Sequence, residues 1–433
     1  MKKIVIIAGG LLIVGLLAAT WYSSVKTEKI FALQVEKARE LYGHAISVSL
    51  DNYDRGFLHS QAETTMMVKA SPPLHFLHRM THLPWGAKVV TTVDREAYHK
   101  EELAEIESGL PFDQLQVISR FRLDGQSDIR MKMAAVEVGG GGHEISLDGL
   151  EMNASLNSAM DDGDVDFRIE GIRFQKADSG AGAVKGFHGV VHYREQGGFP
   201  LGDGVLRADE IDFGSDDAAR YVLNNLAYRF NSTLDDGMLN QYVDIDFDSL
   251  EIADEVCRRG RLKFAITGMN AKAVRALQET YGAMSKKALT GDEIDPFLIQ
   301  LQVFSKTMEL LQKGLHVKLE NFELETDAGK ISARGAVDLE DMGRKIRPVF
   351  DVNAVRAEAT LHFEDGAFTS GYRLISAMRG EHLPVQELTR RAESLSDTLV
   401  AQNILIRNDD GSLVADFAFK DGAGKLNGKP VSR

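Results

Sequence analysis

The feature that most constrains this chain is an uncharged apolar run close to its start. The run IVIIAGGLLIVGLLAATWY extends from Ile4 to Tyr22. A helix of about 20 apolar residues is long enough to cross the hydrocarbon core of a bilayer. Because Lys2 and Lys3 precede the run, the positive-inside rule predicts a cytoplasmic N-terminus. The sequence therefore predicts a single-pass transmembrane anchor over residues 1–22.

The alternative is a secretory signal peptide that is cleaved. Ala18-Ala19-Thr20 matches the small-x-small cleavage site poorly, and the apolar run is long for this class of signal. Trp21 and Tyr22 end the run, and aromatic rings favour the membrane interface. We therefore expect a signal anchor in a bacterial inner membrane, with the body of the protein in the periplasm.

Composition excludes several classes of protein. The net charge is −14, and nucleic-acid binding requires an excess of Lys and Arg, so we expect no nucleic-acid partner. The single cysteine, Cys257, excludes an intramolecular disulfide and any zinc or iron–sulfur site built from several cysteines. The sequence favours a bystander role for this thiol, and it predicts no cofactor.

The spacing of apolar residues predicts an α+β protein that is dominated by antiparallel β-sheet with bulged strands and a few covering helices. After the anchor, the stripe Phe31, Val35, Ala38 and Tyr42 predicts a helix that packs on its own domain. The predicted segments are the anchor (1–22), a juxtamembrane helix (23–44), a β-rich region (45–269), a helical hairpin insert (270–314) and a β-rich C-terminal region with one helix (315–433).

One pattern recurs in the β-rich regions: apolar-x-apolar-x-x-apolar-x-apolar, where x is polar. Clean copies begin at Ile145, Phe167, Leu206, Ile245 and Val317. The doubled x would place the second apolar pair on the opposite face of a regular strand, and one extra bulged residue restores the face. Each copy therefore predicts a bulged strand with one apolar face, which must be covered by a helix, a second sheet or a ligand.

The helices near 270–313 and 386–401 are the predicted covers. The second helix of the insert is apolar almost all round, which is typical of a helix that is buried or packed against a partner. Its candidate interface residues are Phe297, Leu301, Phe304, Met308 and Leu311.

Several features, taken in their order along the chain, resemble the YdgA-like family of bacterial proteins, a family of uncharacterised function. They are the single anchor preceded by lysines, Tyr53-x-Arg55-Gly56-x-x-x-Ser60, the two-helix insert before the stretch GLHVKLENFELETDAGKISARGAVDL at 314–339, and Leu426-Asn427-Gly428-Lys429. The resemblance implies an inner-membrane-anchored periplasmic protein and supplies no catalytic residues. The β portions alone also resemble AsmA-like β-groove proteins, which are associated with lipid transport or outer-membrane assembly.

Two of these motifs have a local structural interpretation. Gly56 predicts a tight turn in which Arg55 donates hydrogen bonds to neighbouring carbonyl groups, with Tyr53 and Ser60 on either side. We favour this interpretation over a ligand site. Asn427-Gly428 predicts a two-residue β-hairpin loop.

The candidate metal ligands are His75, His78 and His82. Their spacing of three and four would place them on one face of a short helix. Prolines interrupt this segment at 72, 73 and 84, and it contains no carboxylate, so a polar loop or a membrane-facing cap is favoured over a metal site.

The leading hypothesis is a non-enzymatic envelope protein that binds a lipid or an extended partner along an apolar β-sheet groove. The alternative is a dimeric structural or assembly factor without a ligand. A metal-assisted hydrolase that uses the three histidines is the more distant alternative.

Overall fold

The fold was obtained as a computed structural model of the 433-residue chain. It describes residues 2–42, 46–68, 73–99, 115–140, 143–176, 180–215, 218–253, 255–290, 296–340, 352–381 and 383–431. Side chains of the first helix are described from Gly15 to Arg39.

Antiparallel strands make up most of the described chain, together with α-helices and two 3₁₀ turns (Arg95–Ala97 and Val352–Ala354). The helices are α1 (Lys2–Tyr42), α2 (Ala271–Thr290), α3 (Pro296–Gln312), α4 (Ala367–Met378) and α5 (Val385–Ala401). The strands are β1 (Ile46–Asp54), β2 (His59–Val68), β3 (Leu74–Leu83), β4 (Gly86–Val93), β5 (Leu115–Arg122), β6 (Ser127–Met133), β7 (Val136–Gly140), β8 (His143–Leu147), β9 (Leu150–Leu156), β10 (Asp162–Lys176), β11 (Gly180–Gln196), β12 (Phe199–Ser215), β13 (Ala218–Asp235), β14 (Met238–Phe247), β15 (Ser249–Ile252), β16 (Glu255–Asn270), β17 (Leu315–Thr326), β18 (Gly329–Leu339), β19 (Val355–Phe363), β20 (Ile406–Arg407), β21 (Leu413–Lys420), β22 (Ala423–Leu426) and β23 (Lys429–Pro430). The predicted α+β class with antiparallel sheet is confirmed.

The chain forms two compact units. Unit 1 comprises Met1–Ile172, His188–Pro200 and Gly282–Glu293, and unit 2 comprises Arg173–Phe187, Leu201–Tyr281 and Ile294–Arg433.

Unit 1 is a meander in which β1 to β6 pair in chain order, followed by β9 and β10 on the β6 side. Helix α1 packs on this sheet through Ile30 and Phe31, which contact buried side chains of β2 to β5. The first half of the predicted stripe is confirmed, since Phe31 is buried and Val35 packs against the same cluster. The side chain of Tyr42 lies outside the described residues. The part of α1 around Ile30 and Phe31 therefore belongs to the unit 1 core.

The predicted anchor and most of the predicted juxtamembrane segment lie in one continuous helix, α1. No helix in the described part of the chain is both long and apolar enough to cross a membrane. Most of the run Ile4–Tyr22 precedes Gly15, and so lies outside the described side chains.

In unit 2, β12 to β19 and β21 form a second antiparallel succession, with β14 and β15 sharing the neighbours β13 and β16. Helix α4, which the sequence did not predict, lies on this sheet and contacts β15 to β18. The predicted C-terminal helix is present as α5, and it packs on α4.

Candidate functional site

The apolar face of the unit 2 sheet is the candidate site, and it follows from the strand register. Directly paired residues point to the same face of a sheet. One unbroken row of such pairs crosses eight strands from β12 to β21: Leu206, Tyr228, Ile245, Leu262, Phe322, Ala333, Leu361 and Ala415. A second row contains Phe230, Val243, Phe264 and Leu319, which lie two residues from the first row along β13, β14 and β16 and three residues from it along β17. We call these two rows the apolar face.

A β-bulge in β17 keeps this face continuous. Leu319 pairs with Gly335 and Phe322 pairs with Ala333, so two residues of β17, at 320 and 321, stand opposite one residue of β18. The extra residue returns Phe322 to the face of Leu319, as the doubled x of the copy at Val317 predicts.

The copies at Ile145 and Ile245 differ from this prediction. Their doubled x separates two strands, β8 from β9 and β14 from β15, instead of forming a bulge inside one strand. At the second break, Asn225 has φ 54° and its side-chain amide donates to Asp248 at 2.9 Å.

The opposite face of the unit 2 sheet is polar. Ion pairs join neighbouring strands there: Arg229 with Asp246, Arg261 with Asp244 at 3.1 Å, and Lys263 with Glu320 at 3.2 Å. Exposed pairs of this kind add little stability, but they identify the face that water solvates. The unit 2 sheet therefore has one polar face, which is solvated, and one apolar face, which carries the two rows.

Helix α4 packs on the side of the sheet that carries the apolar face, and it covers only one end of that side. Gly371 brings α4 so close to the sheet that a Cβ at this position would lie 2.8 Å from Ile331 Cδ1. Beneath the helix Ile331 is 7% exposed, whereas every member of the apolar face remains partly exposed. An ion pair between Arg373 and Glu255 fixes the helix at its edge.

The motif residues Tyr53, Arg55, Gly56 and Ser60 lie together in unit 1, where α1 meets the sheet. The Gly56 N–H donates to Ser60 Oγ at 3.1 Å, and its carbonyl accepts from Ser24 of α1 at 2.8 Å. Arg55 pairs with the Glu28 carboxylate on α1 at 3.1 Å, in place of the predicted neighbouring carbonyls. The motif therefore joins α1 to the first hairpin.

Tyr53 belongs to the core beneath α1. Its hydroxyl donates to Met80 Sδ at 3.2 Å, and its ring lies 6.2 Å from that of Phe31. Burial raises the pKa of Tyr53 to about 12. The side chain is thus a packed, neutral phenol.

Two of the three candidate histidines are buried in the same unit. His78 lies between two threonines, with Nε2 at 2.8 Å from Thr64 Oγ1 and Nδ1 at 2.9 Å from Thr91 Oγ1. Burial lowers its pKa to about 4. His82 Nε2 lies 2.7 Å from Ser60 Oγ, while its buried Nδ1 has no hydrogen-bond partner in the described structure. Burial lowers the pKa of His82 as well, with a smaller contribution from His59.

The polar loop favoured for His75, His78 and His82 is wrong, and so is the short helix that a metal site would need. The three residues lie in strand β3, where a spacing of three places His75 on the face opposite to His78. A spacing of four leaves His78 and His82 on one face but about 13 Å apart. Within the described ranges, no three His, Cys, Asp or Glu side chains are placed to share a metal ion.

The hairpin predicted at Asn427-Gly428 is present. Leu426 pairs with Lys429, and both loop residues have positive φ, 50° and 76°, as a type I′ turn requires. The Asn427 side-chain amide donates to the Asn403 carbonyl at 2.8 Å, which joins the hairpin to the loop after α5. We assign these two residues a structural role.

The candidate interface residues lie on α3 in unit 2. Leu301 and Phe304 are 54% and 62% exposed, and Met308 and Leu311 are partly exposed. The side chain of Phe297 lies outside the described residues.

Two other features of unit 2, a polar cleft and the Cys257 thiol, are weaker candidates for a functional site than the apolar face. An open polar cleft of about 480 Å³ is lined by Arg258, Lys330 and several acidic residues. Both cations are already paired, Arg258 with Asp327 and Lys330 with Glu323. Burial raises the pKa of the Cys257 thiol, which favours the bystander role.

A two-sided antiparallel sheet and a β-meander covered by a helix define the class: a β-rich protein whose second unit has an apolar sheet face. The chain belongs to the family described as "Bacterial protein of unknown function (DUF945)", whose family model matches residues 1–433. No curated protein matches the chain, and no solved structure matches it.

Proposed function

We propose that this is a non-enzymatic, membrane-anchored protein of the bacterial envelope that binds a lipid acyl chain on the apolar face of unit 2. The anchor is the run Ile4–Tyr22, with the N-terminus in the cytoplasm and the body in the periplasm. The observation that carries the proposal is the apolar face, two rows of partly exposed apolar side chains on a sheet whose other side is solvated. The likeness to the YdgA-like family stays a prediction and agrees with this membrane placement.

The dimensions of the face suit an acyl chain. Strands lie about 4.8 Å apart, so a row across eight strands extends for roughly 34 Å. One leaflet accounts for half of a hydrocarbon core about 30 Å thick, so an acyl chain of about 15 Å fits along a row. Covering about 300 Å² of apolar surface would contribute roughly 7 kcal/mol before the entropy of binding is counted.

The chemistry of the face favours a lipid over an extended peptide. A peptide carries N–H and C=O groups that need hydrogen-bond partners when they are buried. The two apolar rows offer hydrocarbon, and the charged partners lie on the opposite side of the sheet. An acyl chain has no polar group along its length, so it can lie on the rows without such a penalty.

Photo-crosslinking tests the lipid proposal. Cells that produce the full chain would be grown with a photoreactive fatty acid, and crosslinked peptides would be mapped by mass spectrometry. We expect crosslinks in residues 243–266 and 317–335, because these segments carry the centre of both rows. Crosslinks confined to residues 4–22 would show only lipid around the anchor and would overturn the proposal, as would a bound peptide in place of the lipid.

A pair of neighbouring substitutions provides the control. Phe264→Glu places a charge in the second row and should weaken lipid binding. A loss of roughly 1.4 kcal/mol of binding free energy lowers the affinity tenfold, so we expect crosslinking of unit 2 to fall about tenfold. Lys263→Gln changes the adjacent residue on the polar face and should leave the yield unchanged. Equal yields from the two variants would contradict the assignment of the face.

A dimeric assembly factor is the second candidate, favoured by the exposed Leu301 and Phe304 on α3. If this helix is a homodimer interface, Phe304→Glu combined with Met308→Glu should convert a dimer to a monomer. Native mass spectrometry of the full chain in detergent measures the mass, and Gln302→Glu on the same helix is the control. A mass unaffected by the double substitution removes this candidate.

A further inference from the structure

Unit 1 carries a second exposed apolar surface, at the end of the sheet where α1 first makes contact. Its side chains are large, mostly aromatic and widely exposed, and Trp85 is 67% exposed. We call these residues the end cluster: Trp21, Tyr22, Phe57, Leu58 and Trp85.

Hydrogen bonds from α1 bring the members of the end cluster together. Ser23 Oγ donates to the carbonyl of Gly86, the residue after Trp85, at 2.8 Å. Ser24 Oγ donates to the carbonyl of Gly56, the residue before Phe57, at 2.8 Å. The β1–β2 and β3–β4 turns therefore lie beside the helix immediately after Tyr22.

The helix sets the height of these turns relative to a membrane. An α-helix rises 1.5 Å per residue, so Ser23 and Ser24 lie about 1.5–3 Å beyond Tyr22 along the axis. If Ile4–Tyr22 spans the hydrocarbon core of a bilayer, which is about 30 Å thick, the core ends at the level of Tyr22 along the helix axis. The turns then reach the lipid headgroups, where Trp and Tyr side chains are favoured.

We infer that unit 1 docks directly on the phospholipid surface of the bilayer through the end cluster. The inference rests on the proposed anchor and adds that the membrane fixes the height and orientation of this unit. Two described cations close to these turns already have partners: Arg55 pairs with Glu28, and Lys26 donates to the Leu123 carbonyl at 2.6 Å. Docking therefore depends on apolar contact, and zwitterionic lipid suffices for it.

The tryptophans of the chain supply the test, because there are only two of them, Trp21 and Trp85. Trp21→Phe leaves Trp85 as the single reporter in the full chain, reconstituted in phosphatidylcholine vesicles. We expect brominated phosphatidylcholine to quench Trp85, and its emission to lie at shorter wavelength than that of tryptophan in water. Unquenched, water-like emission from Trp85 would overturn the docking.

The reciprocal variant separates this inference from the anchor. Trp85→Phe leaves Trp21, which reports whether the end of the apolar run has entered the bilayer. Quenching of Trp21 alone would overturn the docking and retain the anchor, whereas quenching of Trp85 alone would support the docking and overturn the anchor. Quenching of neither would overturn both.

Discussion

Lowering the pH from 7 to 4 is expected to reduce the free energy of unfolding of unit 1 by about 3 kcal/mol through His78 alone. Burial lowers the pKa of this imidazole from 6.5 to about 4. In the unfolded chain the same group binds a proton as soon as the pH falls below 6.5. The unfolded state therefore binds more protons between pH 6.5 and 4, and stability is lost as the pH falls through this window. The lowered pKa of His82 acts in the same direction.

Tryptophan fluorescence measures this effect, because Trp21 and Trp85 both lie in unit 1. Urea unfolding of the full chain in detergent would be compared at pH 7 and pH 4. Carboxylates also titrate in this range, so the decisive quantity is the difference between variants. His78→Gln cannot bind the proton and should lose about 3 kcal/mol less than the parent chain. His316→Gln, at an exposed histidine of unit 2, should retain the full loss.

An equal loss of stability in His78→Gln and in the parent chain would contradict this account. It would show that the buried imidazole is not the group whose protonation opens unit 1.

The period-two pattern in the sequence was sufficient to predict much of the sheet. The hairpin of β1 and β2, the bulge at residues 320 and 321 and the Asn427-Gly428 turn all follow from local rules. Alternation assigns a side chain to a face, an extra residue restores the face, and an Asn-Gly pair adopts positive φ without strain. Such rules act over a few residues, so the sequence alone contains them.

The features that the sequence did not predict depend on distant contacts. His75, His78 and His82 have a spacing that suits one helix face, but their segment is a strand because β2 and β4 pair with it on both sides. Helix α4 was missed because its sequence, AFTSGYRLISAM, contains β-branched, polar and glycine residues that weaken the helical signal. Its position is determined by the packing of Gly371 on Ile331.

The candidate site was predicted only in outline for the same reason. The pattern indicated strands with one apolar face, and the hypothesis of a groove followed from it. The order of neighbours from β12 to β21 decides which residues form a row, and this order results from pairings between residues that are far apart in the chain, such as Leu262 with Phe322, which are 60 positions apart. How much of the apolar side of the unit 2 sheet is covered depends on α4, and no local pattern in the sequence indicated this helix.

Replacing Gly56 by alanine is expected to destabilise unit 1 by about 3 kcal/mol. A Cβ at this position would lie 2.0 Å from the carbonyl oxygen of His59. The obstacle is backbone rather than a flexible side chain, so the turn itself must move. Gly56 also donates to Ser60 and accepts from Ser24, so this movement breaks the contacts that join α1 to the first hairpin.

Urea unfolding followed by tryptophan fluorescence measures the loss, and a second glycine supplies the control. A Cβ at Gly424 would lie 3.7 Å from its nearest neighbour, an ordinary contact, so Gly424→Ala should change the stability of unit 1 by less than about 0.5 kcal/mol. Ser24→Ala removes one hydrogen bond and should reduce the stability by about 1 kcal/mol in the parent chain. In Gly56→Ala the carbonyl has already moved away from Ser24, so the same substitution should have almost no further effect. Additive losses from the two substitutions would show that the turn moves without releasing α1, because the bond from Ser24 would then persist in the displaced turn.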